Sequence, residues 1–172
     1  MTPLAFAPGL GHRARVIRWG DLQRARPDLA DAGVRLLYQF GVGLAFLATV
    51  RRDGGPRVHP VCPIATDEEL YAFVEPSPKR RDLHRDPRYA LHCFPPADNE
   101  DAFYVTGHAW PVVDREVIDE VSEQLLRERG WKEPPPTAEV HELFRFEIDR
   151  CLHTRTTGHG DFAPRHEIWR AA

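Results

Sequence analysis

Short runs of apolar and β-branched residues, separated by tight turns, occupy the middle of the chain. Residues 44–50 form one such run, and Asp53-Gly54-Gly55 after it is a strong hairpin-turn signal. Residues 57–64 supply the return strand, the polar segment 66–69 a second turn, and residues 70–75 a third strand. Because strands that follow one another through tight turns pair antiparallel, this stretch predicts a three-stranded meander.

The rest of the chain adds three helices and further strands. The predicted helices are residues 29–40, a short helix that begins at Ser77-Pro78 and ends before Pro87, and a longer helix from Asp114 to Gly130. The predicted strands are 89–94, 102–113, 140–148, 151–157 and a short one in 165–170, with Gly107 at a bend or bulge.

Six or seven antiparallel strands in one domain favour closure into a small barrel, since closure removes exposed sheet edges. The predicted fold class is therefore mainly β with flanking helices (α+β). The 172 residues suit a single domain. Its expected parts are a helical lead-in (1–43), a barrel core (44–113), a helix (114–130) and C-terminal strands (140–172).

Charge and hydropathy limit the classes of partner. The net charge of −3 argues against nucleic-acid binding along a phosphate backbone. No apolar run approaches the ~20 residues of a membrane span, and the N-terminus lacks the pattern of a signal peptide. We therefore expect a cytoplasmic protein with no membrane partner.

The cysteines and histidines do not form a metal-binding pattern. Cys62, Cys93 and Cys151 are widely spaced without a CxxC pair, which predicts three reduced, buried thiols. His153 and His159 lie close together near a turn, but no acid or cysteine completes a ligand set. The sequence therefore predicts no metal site.

The segment Ser77-Pro78-Lys79-Arg80-Arg81 is the strongest candidate for a binding site. A helix N-terminus has unpaired backbone N–H groups and a partial positive charge, and so favours anions such as phosphate. Cationic side chains in the first turn are unfavourable for the helix itself, and a bound phosphate would remove that conflict. The alternative is a solvated basic turn whose cations pair with Glu75 or Asp82.

The strand Arg57-Val58-His59-Pro60-Val61 is a second candidate. Proline cannot donate to a sheet ladder, so Pro60 indicates an edge strand or a bulge. Arg57 and His59 alternate along the strand and therefore lie on one face. Such a strand would offer free backbone groups to a planar ligand; alternatively, it is an edge protected from aggregation by proline and charge.

These segments resemble three motifs of the pyridoxamine-phosphate-oxidase-like family of FMN-binding split barrels. Residues 44–61 resemble its opening hairpin, residues 77–91 its phosphate-binding loop and following strand, and Tyr104-Val105-Thr106-Gly107-His108-Ala109 its next strand. The resemblance covers roughly residues 44–113. It implies an antiparallel split β-barrel and a homodimer with flavin sites at the subunit interface.

The resemblance also implies site residues. Arg57 and Lys79 would contact the flavin phosphate, with Ser77 and either Arg80 or Arg81 assisting. Backbone groups on two strands would line the isoalloxazine ring, Val58, His59 and Pro60 on one and Ala72, Phe73 and Val74 on the other. Trp169 and Arg170 resemble the family's tail, which reaches the flavin or the substrate.

The chain departs from authentic pyridoxamine-phosphate oxidases at positions that bear on the substrate. Cys62 stands where they have a basic residue, and Pro78 where they have an arginine. Arg165-His166 matches their Arg-x-His tail only loosely. We therefore expect a small-molecule substrate other than pyridoxamine or pyridoxine phosphate.

The function that the resemblance implies is two-electron transfer between a small substrate and FMN. His59 would donate a hydrogen bond or a proton near the ring; alternatively, it is a surface histidine. One alternative function is a reductase that uses the deazaflavin coenzyme F-420, whose acidic tail needs a basic groove such as Arg51, Arg52, Lys79, Arg80, Arg81 and Arg85 would form. The other is a flavin- or haem-binding protein without turnover.

Overall fold

A computed structural model describes residues 17–135 and 138–171. In chain order its elements are α1 Trp19–Ala25, α2 Pro27–Leu37, β1 Tyr38–Gln39, β2 Val42–Gly43, β3 Ala45–Val50, β4 Pro56–Val61, β5 Ile64–Ala65, β6 Leu70–Val74, α3 Pro78–Arg85, β7 Arg88–Cys93, β8 Ala102–Pro111, α4 Arg115–Arg129, a 3₁₀ turn Ala138–Val140, β9 Glu142–Arg155 and β10 Arg165–Arg170. Among these helices none has both the length and the apolar character that crossing a membrane requires.

One antiparallel sheet organises the described residues. Seven of its strands follow the order β4-β3-β7-β8-β9-β6-β5, and β10 pairs with β9 as an eighth strand. The sheet curls around an apolar core into a half-barrel with the helices around it, so the predicted mainly-β split-barrel fold is confirmed. β1 and β2 form a separate two-stranded hairpin.

The predicted three-stranded meander is wrong in its third strand. β3 and β4 form the expected hairpin, with Gly54 at φ +84° in the turn. β6 pairs instead with β9, a strand about 70 residues later, and only briefly with β5. β4 is exposed at four of its six residues and forms the sheet edge that Pro60 predicts. Pairing with β9 buries the apolar residues of β6 against Phe144 and Phe146.

A single 14-residue strand, β9, replaces the two strands predicted for residues 140–148 and 151–157. It pairs with β8 almost throughout, with β6 at its start and with β10 at its end. The register shifts between Thr106 and Gly107, opposite Asp149. This β-bulge leaves two successive residues, Asp149 and Arg150, outside the core. The break in alternation that predicts a strand end in the sequence is therefore a bulge within one continuous strand. The predicted irregularity at Gly107 is confirmed.

The helices cover different parts of the sheet. Trp19, Leu22 and Leu29 of α1 and α2 are fully buried in the main core. α4 follows its predicted bounds, with Asp114 accepting a hydrogen bond from the Glu116 amide and Gly130 in the left-handed conformation. Val121 of α4 packs in a smaller cluster with Ile64, Tyr71 and Leu143.

α2 ends at Leu37, three residues before the predicted end at 40. The chain then turns through Phe40 and Gly41, both at positive φ, in the hairpin that joins β1 and β2. A residue in the left-handed region cannot continue an α-helix.

Candidate functional site

The first turn of α3 forms part of one wall of the candidate site. The Ser77 Oγ accepts a hydrogen bond from the Arg80 amide at 3.4 Å, and Pro78 occupies the first helical position. The first turn contains no acidic residue, so its partial positive charge is not neutralised within the helix.

A cavity of about 620 Å³ lies between the β3–β4 hairpin and α3. Its lining residues are Arg51, Arg52, Asp53, Arg57, Pro78, Arg81, Asp82 and Arg85. Five guanidinium groups and two carboxylates make this cavity strongly electropositive. We call it the arginine cavity.

Asp82 is the centre of the polar contacts in the arginine cavity. Its Oδ2 accepts hydrogen bonds from Arg57 Nε at 2.6 Å and from Thr49 Oγ1 at 3.1 Å. Its Oδ1 accepts one from Arg85 Nη2 at 2.9 Å, and the same arginine also donates to the Val50 carbonyl. The Asp82 side chain is only 5% exposed, so the ion pairs tie α3 to the hairpin from inside.

The protonation of Asp82 follows from two opposing effects. Burial alone would raise the pKa of its carboxyl group, because it disfavours the charged form. The hydrogen bonds from Arg57, Arg85 and Thr49 together outweigh burial and hold the pKa below the ordinary value of 3.8. Asp82 is therefore ionised at neutral pH.

The other cations of the cavity are less constrained. Arg51 pairs with Asp53 at 2.8 Å at the tip of the hairpin. Among the residues that the structure describes, Arg52 and Arg81 have no acidic partner. The two guanidinium groups are therefore available to an anionic ligand.

The three consecutive cations of α3 lie in different surroundings. Arg81 lines the arginine cavity together with Arg57. Lys79 is only 12% exposed and pairs with Glu75, which is the alternative that the sequence left open. Arg80 turns towards the start of β9, donating to the Val140 carbonyl at 2.8 Å.

The strand segments expected to line a flavin ring lie at free sheet edges. Val58 is 57% exposed on β4, and His59 and Pro60 are exposed beside it. Ala72 and Val74 have fully buried side chains, while Phe73 packs against the α4 cluster. Within the described residues, 72–74 pair with β9 on one side and with no strand on the other. Their backbone groups on that side are available to a ligand. β4 and β6 are not adjacent strands, so the two free edges lie in different parts of the sheet.

The tail residues belong to β10, which confirms the short strand predicted at 165–170. Trp169 lies opposite Cys151 and packs against the main core. Arg170 is exposed opposite Arg150. The tail is thus fixed to the sheet through β9.

Two rows of residues across six strands remain half-buried or exposed, and we call them together the open face. In register, one row is Pro60, Phe46, His92, Tyr104, Leu152 and Ile168. The second row is Val58, Ala48, Ala90, Thr106, Arg150 and Arg170. Most of these side chains are apolar, which is unusual for the uncovered face of a sheet.

The three cysteines differ in environment. Cys93 and Cys151 are buried as predicted, and burial raises the pKa of the Cys151 thiol to about 12. The prediction is wrong for Cys62, which is half-buried and whose Sγ accepts a hydrogen bond from Arg129 Nη2 at 2.7 Å. Its place in the short loop between β4 and β5 leaves it at the margin of the core.

The two histidines singled out in the sequence lie in different surroundings. His153 is buried, and burial lowers its pKa, whereas the ring of His159 contacts the Ala97 carbonyl. Nowhere in 17–135 or 138–171 do three or more histidine, cysteine or acidic side chains come together as a metal site would need.

Comparison with known proteins places this geometry in a family. A sequence model described as pyridoxamine 5'-phosphate oxidase matches residues 39–154, more than half of the chain. No curated protein sequence matches the chain.

Solved structures share the fold at low sequence identity. An FAD-binding protein from Mesorhizobium loti is 23% identical with a TM-score of 0.54, over 70% of this chain and 89% of that chain. An F-420 reductase is 22% identical with a TM-score of 0.56, over 69% and 94%. A haem-binding protein from Mycobacterium smegmatis is 16% identical with a TM-score of 0.60, over 85% of this chain but only 59% of its own.

The curled antiparallel sheet and the family match over residues 39–154 agree with the three motifs seen in the sequence. The chain therefore belongs to the pyridoxamine 5'-phosphate oxidase-like family of split β-barrels, of which it is a divergent member.

Proposed function

We propose that this protein is a flavin-dependent oxidoreductase that binds FMN with the phosphate in the arginine cavity. The observation that carries the proposal is the convergence of five arginines on one cavity beside the first turn of α3. Guanidinium groups suit phosphate, because their planar donors match its oxygens. Arg57 and Arg81 are the expected phosphate ligands, while Ser77 caps the helix that carries Arg81.

The edge strand β4 is the expected support for the isoalloxazine ring. Val58, His59 and Pro60 are exposed and the outer backbone groups of β4 have no strand partner among the described residues. The free edge at Ala72, Phe73 and Val74 would supply further backbone contacts. A bound flavin supplies two-electron chemistry, so the protein needs to hold the ring and admit a small substrate. His59 is the candidate donor of a hydrogen bond to the ring or the substrate.

The open face supports a homodimer as the functional unit. Phe46, Tyr104, Leu152 and Ile168 form part of an apolar surface that a second copy of the chain would bury. Because β4 and β10 border this face, pairing would bring the edge strand and the tail of each copy near the interface. Trp169 and Arg170 are then the candidate tail contacts to the flavin or the substrate.

A deazaflavin coenzyme is the second candidate for the same cavity. The cavity extends from Arg57 and Arg81 to Arg51 and Arg52 at the hairpin. A ligand with one phosphate does not need all of these cations, whereas an acidic tail would. A structural neighbour named as an F-420 reductase has the same fold.

The decisive experiment is an absorption spectrum of the purified protein, followed by titration with FMN and with coenzyme F-420. An oxidised-flavin spectrum that stays with the protein through gel filtration supports FMN, and bleaching by a nicotinamide donor supports turnover. Tight binding of the deazaflavin alone would replace FMN in the proposal. A Soret band would favour a haem-binding protein, and binding of none of the three would overturn the proposed function.

A further inference from the structure

We infer that Asp82 is a positioning residue, which holds Arg57 so that the free edge of its guanidinium group meets the ligand's phosphate. This inference rests on the proposed function, because it needs a phosphate in the arginine cavity. Asp82 is buried, and both of its oxygens are used by the protein. Its position depends on α3 as well as on Thr49 of β3.

Arg57 is held by one nitrogen and keeps the others free. Its Nε donates to Asp82, and the structure assigns no partner to either Nη group among the described residues. Guanidinium donors have a fixed planar arrangement, so anchoring Nε also sets the direction of both Nη groups. Arg57 lines the cavity, and these two groups are its remaining donors to a ligand.

Arg85 has a different part in the same network. Its Nη2 donates to both Asp82 and the Val50 carbonyl, so this arginine is held within the protein. It fixes the second oxygen of Asp82 and thereby the plane of the carboxylate. Asp82 therefore orients Arg57 towards the ligand, whereas Arg85 helps to hold Asp82 in place.

The negative charge of Asp82 opposes anion binding, whereas its anchoring of Arg57 favours it. Without Asp82, Arg57 would lie among the like charges of Arg81, Arg85 and the hairpin arginines, which would drive its side chain towards solvent. Preorganised donors avoid the entropy cost of ordering a long side chain on binding. Positioning is the larger effect in this inference, so removing the charge of Asp82 should weaken phosphate binding.

The test compares FMN with riboflavin, which has the same ring and no phosphate. We expect Asp82→Asn to raise the dissociation constant for FMN about tenfold or more, since it disturbs charge-assisted hydrogen bonds. Binding of riboflavin should change less than about twofold, because riboflavin has no phosphate for Arg57 to bind. Both constants are measured by quenching of flavin fluorescence.

Asp86→Asn is the matched control. Asp86 also follows the cationic segment of α3 and pairs with an arginine, Arg88, at 2.6 Å, but it does not line the cavity. We expect this variant to bind both flavins as the wild type does. A general charge effect would tighten FMN binding in both variants, because each loses a negative charge near an anion site. A loss of FMN affinity as large as that of Asp82→Asn would show that disturbing α3 anywhere weakens binding and would overturn the specific role of Asp82.

Arg57→Lys provides a second test, which does not depend on folding of the Asp82 variant. Lysine keeps the charge, but its single ammonium group cannot pair with Asp82 and present a planar pair of donors to phosphate. We expect the loss of FMN affinity to approach that of Arg57→Met. Wild-type affinity in Arg57→Lys would show that charge alone suffices and would overturn the inference.

The results separate this inference from the proposed function. Suppose that the wild type binds FMN more tightly than riboflavin. If Asp82→Asn binds FMN as tightly as the wild type or more tightly, the role of Asp82 is overturned and the phosphate site is not. An equal loss of FMN and riboflavin binding in Asp82→Asn identifies a structural role and also overturns the positioning role of Asp82. A wild type without any preference for FMN over riboflavin overturns the phosphate site itself.

Discussion

Arg57 Nε lies 2.6 Å from Asp82 Oδ2, and this contact between residues 25 apart in the sequence joins the edge strand β4 to α3. The arginine side chain is 28% exposed and the aspartate 5%, so the pair spans the boundary between the core and the cavity. Removing Arg57 would leave the buried Asp82 with Arg85 as its one charged partner among the described residues, which is more costly than losing an exposed ion pair. The contact therefore fixes the relative position of the two walls of the arginine cavity.

Arg81 and Arg80 should differ in their effect on phosphate binding. Arg81 lines the cavity without an acidic partner, whereas Arg80 donates to the Val140 carbonyl away from it. We expect Arg81→Met to weaken FMN binding about tenfold and Arg80→Met to leave it within about twofold, since a charge-assisted bond is worth ~1.5–3 kcal/mol. Titration of both variants with FMN checks this, and equal losses would contradict the geometry.

The Asp82 network should make stability depend on pH in acid. The pKa of Asp82 lies below its unfolded value of 3.8, so the ionised carboxylate stabilises the fold above that value. This contribution is lost as the pH falls through the lower pKa of the folded state. We expect the difference in unfolding free energy between wild type and Asp82→Asn to be constant near neutral pH.

Urea unfolding from about pH 7 to about pH 3 measures this difference. It should shrink below about pH 4, as Asp82 becomes protonated in the unfolded state and then in the folded state. A difference that grew in acid would contradict the direction of the pKa change.

Gly107 should tolerate no side chain. A Cβ at this position would overlap the Glu147 carbonyl oxygen and lie 3.1 Å from the Asp149 amide nitrogen. Backbone atoms of a paired strand cannot move aside, so we expect Gly107→Ala to cost about 3 kcal/mol. The corresponding fall in melting temperature is about 6–12 °C.

Gly55→Ala is the control for this substitution. Its Cβ would meet only the Asp53 side chain, at 3.2 Å, and that side chain is exposed, in contrast to the backbone atoms around Gly107. We expect a change within about 0.5 kcal/mol. Thermal unfolding that gives equal losses for the two variants would contradict the close packing of the bulge.

A charge on the open face should prevent formation of the proposed homodimer. Ile168 is exposed on this face, and Val113 is exposed in the loop after β8, outside both rows. Because a buried unpaired charge is costly, we expect Ile168→Lys to shift the protein towards monomer and Val113→Lys to leave the dimer intact. Sedimentation velocity distinguishes the two states, and a dimer unaffected by Ile168→Lys would place the interface elsewhere.

Local patterns predicted much of the secondary structure. The Asp53-Gly54-Gly55 turn, the caps at Ser77 and Asp114 and the edge position of Pro60 all follow from the chemistry of single residues. Sequence patterns are less informative where a tertiary contact changes the local structure. The bulge beside Gly107 interrupts the alternation of β9, and in the sequence such an interruption has the same pattern as the end of a strand.

In the candidate site the sequence indicated Arg57 and the basic turn, but not the central role of Asp82. An acidic residue between Arg81 and Arg85 is an ordinary feature of a surface helix, and only its burial beside Thr49 makes it distinctive. Lys79, Arg80 and Arg81 are consecutive, and each step along a helix turns the side chain by about 100°. Their side chains therefore point in different directions, and only the packing of α3 decides which of them lines the cavity.

The sequence by itself determined that this chain forms short antiparallel strands around an apolar core, with a cationic turn at the start of α3 and proline on an edge strand. These features depend on residues near one another in the chain, where backbone preferences act directly. The tertiary structure decided that β6 pairs with β9, that Arg81 faces the hairpin while Arg80 does not, and that Asp82 anchors Arg57. Such contacts join residues distant in the chain, and they form because an arrangement that buries the apolar faces of the strands must also pair most of the polar groups that it removes from water.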